Sequence, residues 1–230
     1  MSMRIAVFAS GGGSNLQALI NWFNRDRAAG ARVALVIADR ECRALERADR
    51  AGIERSLIPV RGIEPEELAL ATLAALEGAA IDVVALAGYL RLVPAAVVDR
   101  YRGRIVNIHP SLLPAFGGPG MYGSRVHEAV LRAGVRVTGA TVHYVDEAYD
   151  EGRPIAQWPV PVFPDDSPET LAARVLRVEH QLYPIALERL VRELQGQEPL
   201  PQPEFKFVAA PHDVPALEGM RTAFGLQEEE

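Results

Sequence analysis

Asn107 and His109 stand two residues apart at the end of a short apolar run, Arg104-Ile105-Val106-Asn107-Ile108-His109-Pro110. In a strand, residues two apart share a face, and Pro110 ends the ladder because proline has no N–H to donate. One strand end therefore presents a carboxamide, which can bond an oxygen, beside an imidazole, which can move a proton near neutral pH. Such a pair is catalytic if a substrate reaches it. Taken alone, a histidine after a buried strand is more often a satisfied structural one, so the elements that would position the pair decide its meaning.

Residues 4–9 (RIAVFA) read as a buried strand, followed by Ser10-Gly11-Gly12-Gly13-Ser14 as a loop and by Leu16, Leu19, Ile20 and Phe23 at helical spacing. Ser14 and Gln17 fit a capping box for that helix. A glycine loop opening a helix leaves free N–H groups at the positive end of the helix dipole, a site suited to phosphate. The loop is not a dinucleotide fingerprint, because Leu16 fills the third glycine position, and it lacks the lysine of a P-loop. A tight turn with no ligand is the other reading of the glycines, and Ser14 as a mere cap that of the serine.

Further strands are expected at 33–38, 57–60 and 82–87, with helices at 41–51 and 65–77 and another starting near Pro94. Residues 104–109 make the fifth strand. Apolar strands alternating with helices predict an α/β fold, a mostly parallel twisted sheet flanked by helices. In such sheets ligands bind beyond the carboxyl ends of the strands, where residues 11–15, 88–93 and 107–114 would gather. A glycine-rich loop at 115–125, a helix at 126–133, an alternating strand at 139–145 and an extended, proline-broken stretch at 155–162 follow. Ser167 and Pro168 then open a long helix with Leu171, Val175, Val178 and Leu182 on its buried stripe. Glu179 sits beside that stripe, where a carboxylate is costly unless paired or reaching water. Residues 1–195 read as one catalytic domain and 196–230 as a C-terminal extension, with an edge strand at 205–210 and a weak helix at 217–230.

The net charge of −6 argues against nonspecific nucleic-acid binding, which needs surplus Lys and Arg. Cys42 is the single cysteine, so no intramolecular disulfide forms, and no Cys/His cluster has zinc spacing. No apolar run approaches the roughly 20 residues of a membrane span, and the first strand begins without the apolar region of a signal peptide. A cytoplasmic protein with no metal, no nucleic acid and no membrane is expected.

Several motifs together resemble the folate-dependent formyltransferases, over about residues 3–190, in the branch that acts on glycinamide ribonucleotide. They are Gly11-Gly12-Gly13-Ser14-Asn15-Leu16-Gln17, Leu86-Ala87-Gly88-Tyr89-Leu90-Arg91, Asn107-Ile108-His109-Pro110-Ser111-Leu112-Leu113-Pro114, Thr141-Val142-His143-Tyr144-Val145 with Asp150, and Glu179-His180 with Tyr183-Pro184. The resemblance implies a Rossmann-like formyltransferase fold. It also implies transfer of the formyl group of 10-formyltetrahydrofolate, as cosubstrate, to the amine of glycinamide ribonucleotide in de novo purine synthesis. Asn107, His109 and Asp150 would be catalytic: Asn107 or a protonated His109 as donor to the developing oxyanion, Asp150 as orienter of His109 and proton relay. Gly13, Ser14 and Asn15 would hold the ribonucleotide phosphate, and Glu179 would meet the glycinamide end, with Gly88 and Pro110 adding backbone contacts. Leu90, Arg91, Leu92 and Val93, with Asn107, would meet the folate, although Leu90 and Leu92 also suit a core. A homodimer is allowed.

The chain departs from the family pattern at three places. The 115–125 loop is longer than in the shortest members. The residues after Asp150 read Glu151-Gly152-Arg153-Pro154, which makes Asp146 a rival for the aspartate role, though Asp150 keeps the family spacing. The basic residue that meets the folate after the third strand has only Arg61 as a candidate. Related enzymes lose on other features: a tRNA formyltransferase needs a nucleic-acid-binding domain, a formyltetrahydrofolate hydrolase carries a regulatory N-terminal domain, and sugar-nucleotide formyltransferases lack this phosphate loop. A silent nucleotide- or folate-binding module is the reading from another class.

Overall fold

Strand β1 (Met3–Ala9) is buried on both faces, and its alternation divides the core in two. Ile5, Val7 and Ala9 pack with one hydrophobic cluster, Ala6 and Phe8 with the other. This computed structural model describes residues 2–24, 30–146 and 149–198. The chain divides into two compact units, Met1–Pro199 and Leu200–Glu230; the expected edge strand at 205–210 and helix at 217–230 lie outside the described residues.

After β1 come α1 (Ser14–Phe23), β2 (Ala31–Ala38), α2 (Arg43–Arg50), β3 (Glu54–Leu57), α3 (Pro65–Gly78), β4 (Val83–Leu86), α4 (Ala95–Arg100) and β5 (Ile105–His109). Then follow α5 (Ser124–Ala133), β6 (Val137–Tyr144), β7 (Pro154–Pro161) and α6 (Pro168–Leu194). The sheet runs β3-β2-β1-β4-β5-β6-β7. Its first five strands are parallel and β6 and β7 antiparallel to their neighbours, so the expected mostly parallel sheet is present. Leu16 and Leu19 of α1, Leu45 of α2, Val126 of α5 and Leu187 of α6 cover one face. Leu68 and Leu76 of α3 and Val97 of α4 cover the other.

Three local expectations are corrected. Helix α1 is not capped by Ser14: the N-cap is Gly13, left-handed at φ 68, with no side-chain cap. A Cβ on Gly13 would come within 2.8 Å of Ala44 Cα, so the turn needs glycine where α2 crosses it. Strand β3 lies at Glu54–Leu57 rather than 57–60; it pairs with Leu35–Ala38 as a short polar edge, which apolar patterning does not detect. Strand β7 is one element from Pro154 to Pro161 although it holds Pro159 and Pro161, because an edge strand tolerates residues that cannot donate on its open side; its pairing with β6 shifts register between Val142 and His143.

Helix α6 spans 27 residues, about 40 Å, and is fixed at its start by Ser167, whose side chain accepts from Thr170 N–H in a reciprocal capping box. Its Tyr183 is fully buried, and the hydroxyl meets the carbonyls of Leu86 at 2.9 Å and Val106 at 3.2 Å. One side chain thus ties the helix to both strands beneath the site. Burial pushes its phenol pKa well up, with the Glu179 charge adding to that. Tyr183→Phe is expected to cost about 1–2 kcal/mol of stability, the penalty for leaving buried carbonyls short of a donor. Urea unfolding measures it, and an unchanged midpoint would show that the hydroxyl contributes nothing.

Candidate active site

From β1 the chain builds β2 and β3 to one side, then returns to build β4 and β5 on the other, so the carboxyl ends of β1 and β4 border a gap between diverging loops. A cavity of about 720 Å³ opens there, within the size range of small-molecule sites. Strand β5 delivers two side chains to it, and β6 lies antiparallel alongside, with Asn107 opposite His143 and His109 opposite Thr141.

The hydrogen bonds assign the imidazole tautomers. His143 Nδ1 lies 2.8 Å from the Tyr144 carbonyl, which can only accept, so Nδ1 carries the hydrogen. Its Nε2 then accepts from Asn107 Nδ2 at 3.1 Å, leaving that amide one further hydrogen to donate. Burial depresses the His143 pKa, outweighing the Tyr144 hydrogen bond and the Asp150 charge, which push the other way. A neutral ring follows. His109 donates from Nε2 to the Phe116 carbonyl at 2.9 Å, which turns Nδ1 toward Asp150 Oδ2 at 3.5 Å. Asp150 Oδ1 lies 3.6 Å from His143 Nε2, so one carboxylate faces both rings.

Asp150 holds a left-handed backbone at φ 59, a conformation that non-glycine residues adopt at a cost. Gly118 N–H, donating to Oδ2 at 2.9 Å, holds it there. The 115–125 loop is therefore part of the site, and its Gly118 and Met121 line the cavity. The segment after His109 is braced by buried Thr141, whose hydroxyl donates to the Ser111 carbonyl at 2.7 Å and accepts from Leu113 N–H at 3.0 Å. Gln157 of β7 donates to the Leu113 carbonyl at 2.9 Å.

Opposite the pair, Asn15 of α1 and Glu179 of α6 line the same cavity and join through Asn15 Nδ2, which donates to Glu179 Oε2 at 2.7 Å. Glu179 is only 7% exposed, so it is not a stripe-edge residue reaching water. Burial raises its pKa, and the Asn15 hydrogen bond offsets only part. The Asn15 Oδ1 is buried with no hydrogen-bond partner. At this wall the Glu179 carboxyl is thus the group that can meet a donor-rich ligand, with Asn15 fixing its orientation. Gly88 and Pro110 also line the cavity, whereas Ser14 lines a separate hollow of about 470 Å³ with Gln17, Arg47 and His180, and Gly13 lines neither. The wall from Leu90 to Val93 faces the main cavity. Leu90 and Leu92 are 45% and 53% exposed, so they do not fill core, while Val93 does. Arg61 does not line it, and Asp146 does, but Asp150 is the carboxylate set against His109.

The formyl transferase family model matches residues 3–187. The chain belongs to that family. A phosphoribosylglycinamide formyltransferase of Vigna unguiculata, a chloroplastic protein, is 45% identical over 191 residues, covering 83% of this chain and 61% of the relative. That of Bacillus subtilis is 39% identical over 197 residues, covering 82% of this chain and 94% of the relative. The crystal structure of glycinamide ribonucleotide transformylase 1 from Geobacillus kaustophilus has a TM-score of 0.76 at 43% identity, covering 83% of this chain and 99% of that one. The chain spans about three fifths of the length of the plant relatives it matches. Among the described residues no helix is long and apolar enough to cross a membrane.

Two residues of this formyl transferase site escaped assignment from sequence. His143 was visible only as part of a motif; its signal is the alternation of β6, which sets it across the ladder from Asn107. His127 of α5 is buried, lines the cavity and leaves Nδ1 without a partner, its pKa depressed by burial and then by His109. At helical spacing from Val130 it reads simply as core. Glu179 yields a pH test. A carboxyl whose folded pKa lies above its unfolded value stabilises the fold while protonated, and that contribution is lost as pH rises through the folded value. Ligand-free Glu179→Gln is therefore expected to be more stable than the parent at about pH 8, with the gain shrinking toward about pH 4. Chemical unfolding at both pH values checks this, and a pH-independent difference would contradict the cause given for the shift.

Proposed function

We propose that the chain transfers the formyl group of 10-formyltetrahydrofolate to the amine of glycinamide ribonucleotide, a step of purine synthesis, in a reducing cytoplasm that suits its single free cysteine. The observation that carries this reading is one cavity bearing Asn107, His109 and Asp150 on one side and the Asn15–Glu179 pair on the other. The two sides suit two substrates that must meet. Glu179, oriented by Asn15, accepts from the donor-rich amine end of the ribonucleotide, whose phosphate would reach toward the α1 N-terminus at Gly13 and Ser14. Exposed Leu90 and Leu92, with the backbone from Gly88 to Val93, fit a flat heteroaromatic ring with a polar edge, as the folate has.

10-Formyltetrahydrofolate, bound as donor substrate, supplies the formyl group. Asn107, whose Nδ2 keeps one hydrogen free of His143, donates it to the negative charge that builds on the formyl oxygen as the amine nitrogen attacks the carbon. Asp150 and His109 act as a relay pair: they take the proton that the attacking nitrogen loses and return it to the folate nitrogen as its bond to carbon breaks. Neutral His143 holds the Asn107 amide in the orientation this needs. Protons and the carbon–nitrogen bonds balance with no covalent enzyme intermediate.

The test is release of tetrahydrofolate from the donor by purified protein, with and without glycinamide ribonucleotide. Release only with the ribonucleotide is expected. Release without any acceptor would replace this reading by hydrolysis, and no release by folded protein would leave a binding module.

A further inference from the structure

Outside the reacting groups, Asp39 is a buried carboxylate held by two arginines behind the cavity wall. It follows β2, its side chain is only 2% exposed, and it does not line the cavity. Arg91 Nε donates to its Oδ2 at 3.0 Å, and Arg40 Nη2 donates to the same oxygen at 2.8 Å. Ser10, the residue after β1, stands against this carboxylate and helps to lower its pKa. The Ser10 hydroxyl oxygen accepts in turn from Leu90 N–H at 3.0 Å. Burial alone would raise the Asp39 pKa, but Arg40, Ser10 and Arg91 prevail and hold it at about 2. The group is therefore a permanent anion at neutral pH.

The sheet order explains the reach. Asp39 follows β2, Ser10 follows β1, and Leu90 and Arg91 lie in the loop after β4, three adjacent strands. The carboxylate draws the loop after β4 across the end of β1 at two points, the Arg91 guanidinium directly and the Leu90 peptide through Ser10. Those are the residues that present the exposed wall of the cavity.

We infer that Asp39 is a positioning residue for the donor substrate: a buried anion, never touching ligand, that fixes the Leu90–Arg91 wall in its binding geometry. The inference rests on the proposed function for the identity of that ligand. A buried ion pair is weak evidence for stability, since desolvation offsets much of the Coulomb gain, so a role in orienting the wall is the better account of why the charge is there. Once Asp39 is neutral, the Arg91 side chain loses its anionic partner, and Ser10, the acceptor of the Leu90 N–H, loses the charge beside it. Affinity on the folate side should fall while Asn107, His109 and Asp150, held by other elements, stay in place.

The experiment compares Asp39→Asn with the parent full-length protein by calorimetric titration with tetrahydrofolate and by steady-state kinetics in both substrates. The expected result is weaker tetrahydrofolate binding and a higher KM for the donor, each by roughly fivefold or more, with kcat and the KM for the ribonucleotide within about twofold of the parent. A merely structural role would reduce the active fraction and so kcat, leaving both affinities unchanged. Ser10→Ala, which cuts only the Leu90 tether, is expected to weaken folate binding in the same direction and serves if Asp39→Asn does not fold. Parent-like tetrahydrofolate affinity in the folded variants overturns the inference while leaving the proposed transfer intact. A parent that binds no tetrahydrofolate overturns both.

Discussion

The antiparallel ladder between β5 and β6 is the interaction on which the site depends. Strand β5 alone supplies Asn107 and His109 on one face, as any extended segment with that spacing would. It is β6, entering from the opposite direction, that sets His143 across from Asn107 and Thr141 across from His109. The first pairing fixes the orientation of an amide; the second anchors the turn that carries the chain away from His109. A parallel neighbour would offset these pairs. The mixed character of the sheet thus has a chemical consequence at one strand end.

Charge burial follows from the same arrangement. Glu179 is kept in a low-dielectric wall with one amide partner, Asp150 is held with a left-handed backbone by a glycine N–H, and both face the cavity. Each is a local cost that the fold carries because the two apolar clusters on either side of the sheet supply the stability. Groups positioned in this way need no rearrangement when charge develops on a substrate, which is how preorganised sites lower barriers.

Much of the scaffold was legible in the sequence because it follows from period and punctuation. The apolar runs of β1, β2, β4 and β5, the helix opened by Pro65 and the cap at Ser167 all lie within a few residues of their expected positions. The misses have physical reasons. Edge strand β3 is polar, so no hydrophobic pattern marks it, and the left-handed Gly13 start of α1 depends on the approach of Ala44 from a distant helix. At the site, Asn107 and His109 announced themselves by spacing and Glu179 by its place beside a buried stripe, whereas Asp150 emerged from motif likeness. His143, His127 and Asp39 acquire meaning only through neighbours far away in sequence. Ser14 and Gly13, expected at the ligand, lie off the main cavity.

In the proposed mechanism the Asp150–His109 pair moves the proton between attacking and leaving nitrogens. Its most direct test is the single-turnover rate of Asp150→Asn with both substrates saturating, set beside the affinity of each substrate for the variant. The account predicts a fall of about 100-fold or more in rate, the scale of general acid–base assistance, with both affinities retained. A variant that keeps the parental rate would contradict it and return the proton transfer to solvent.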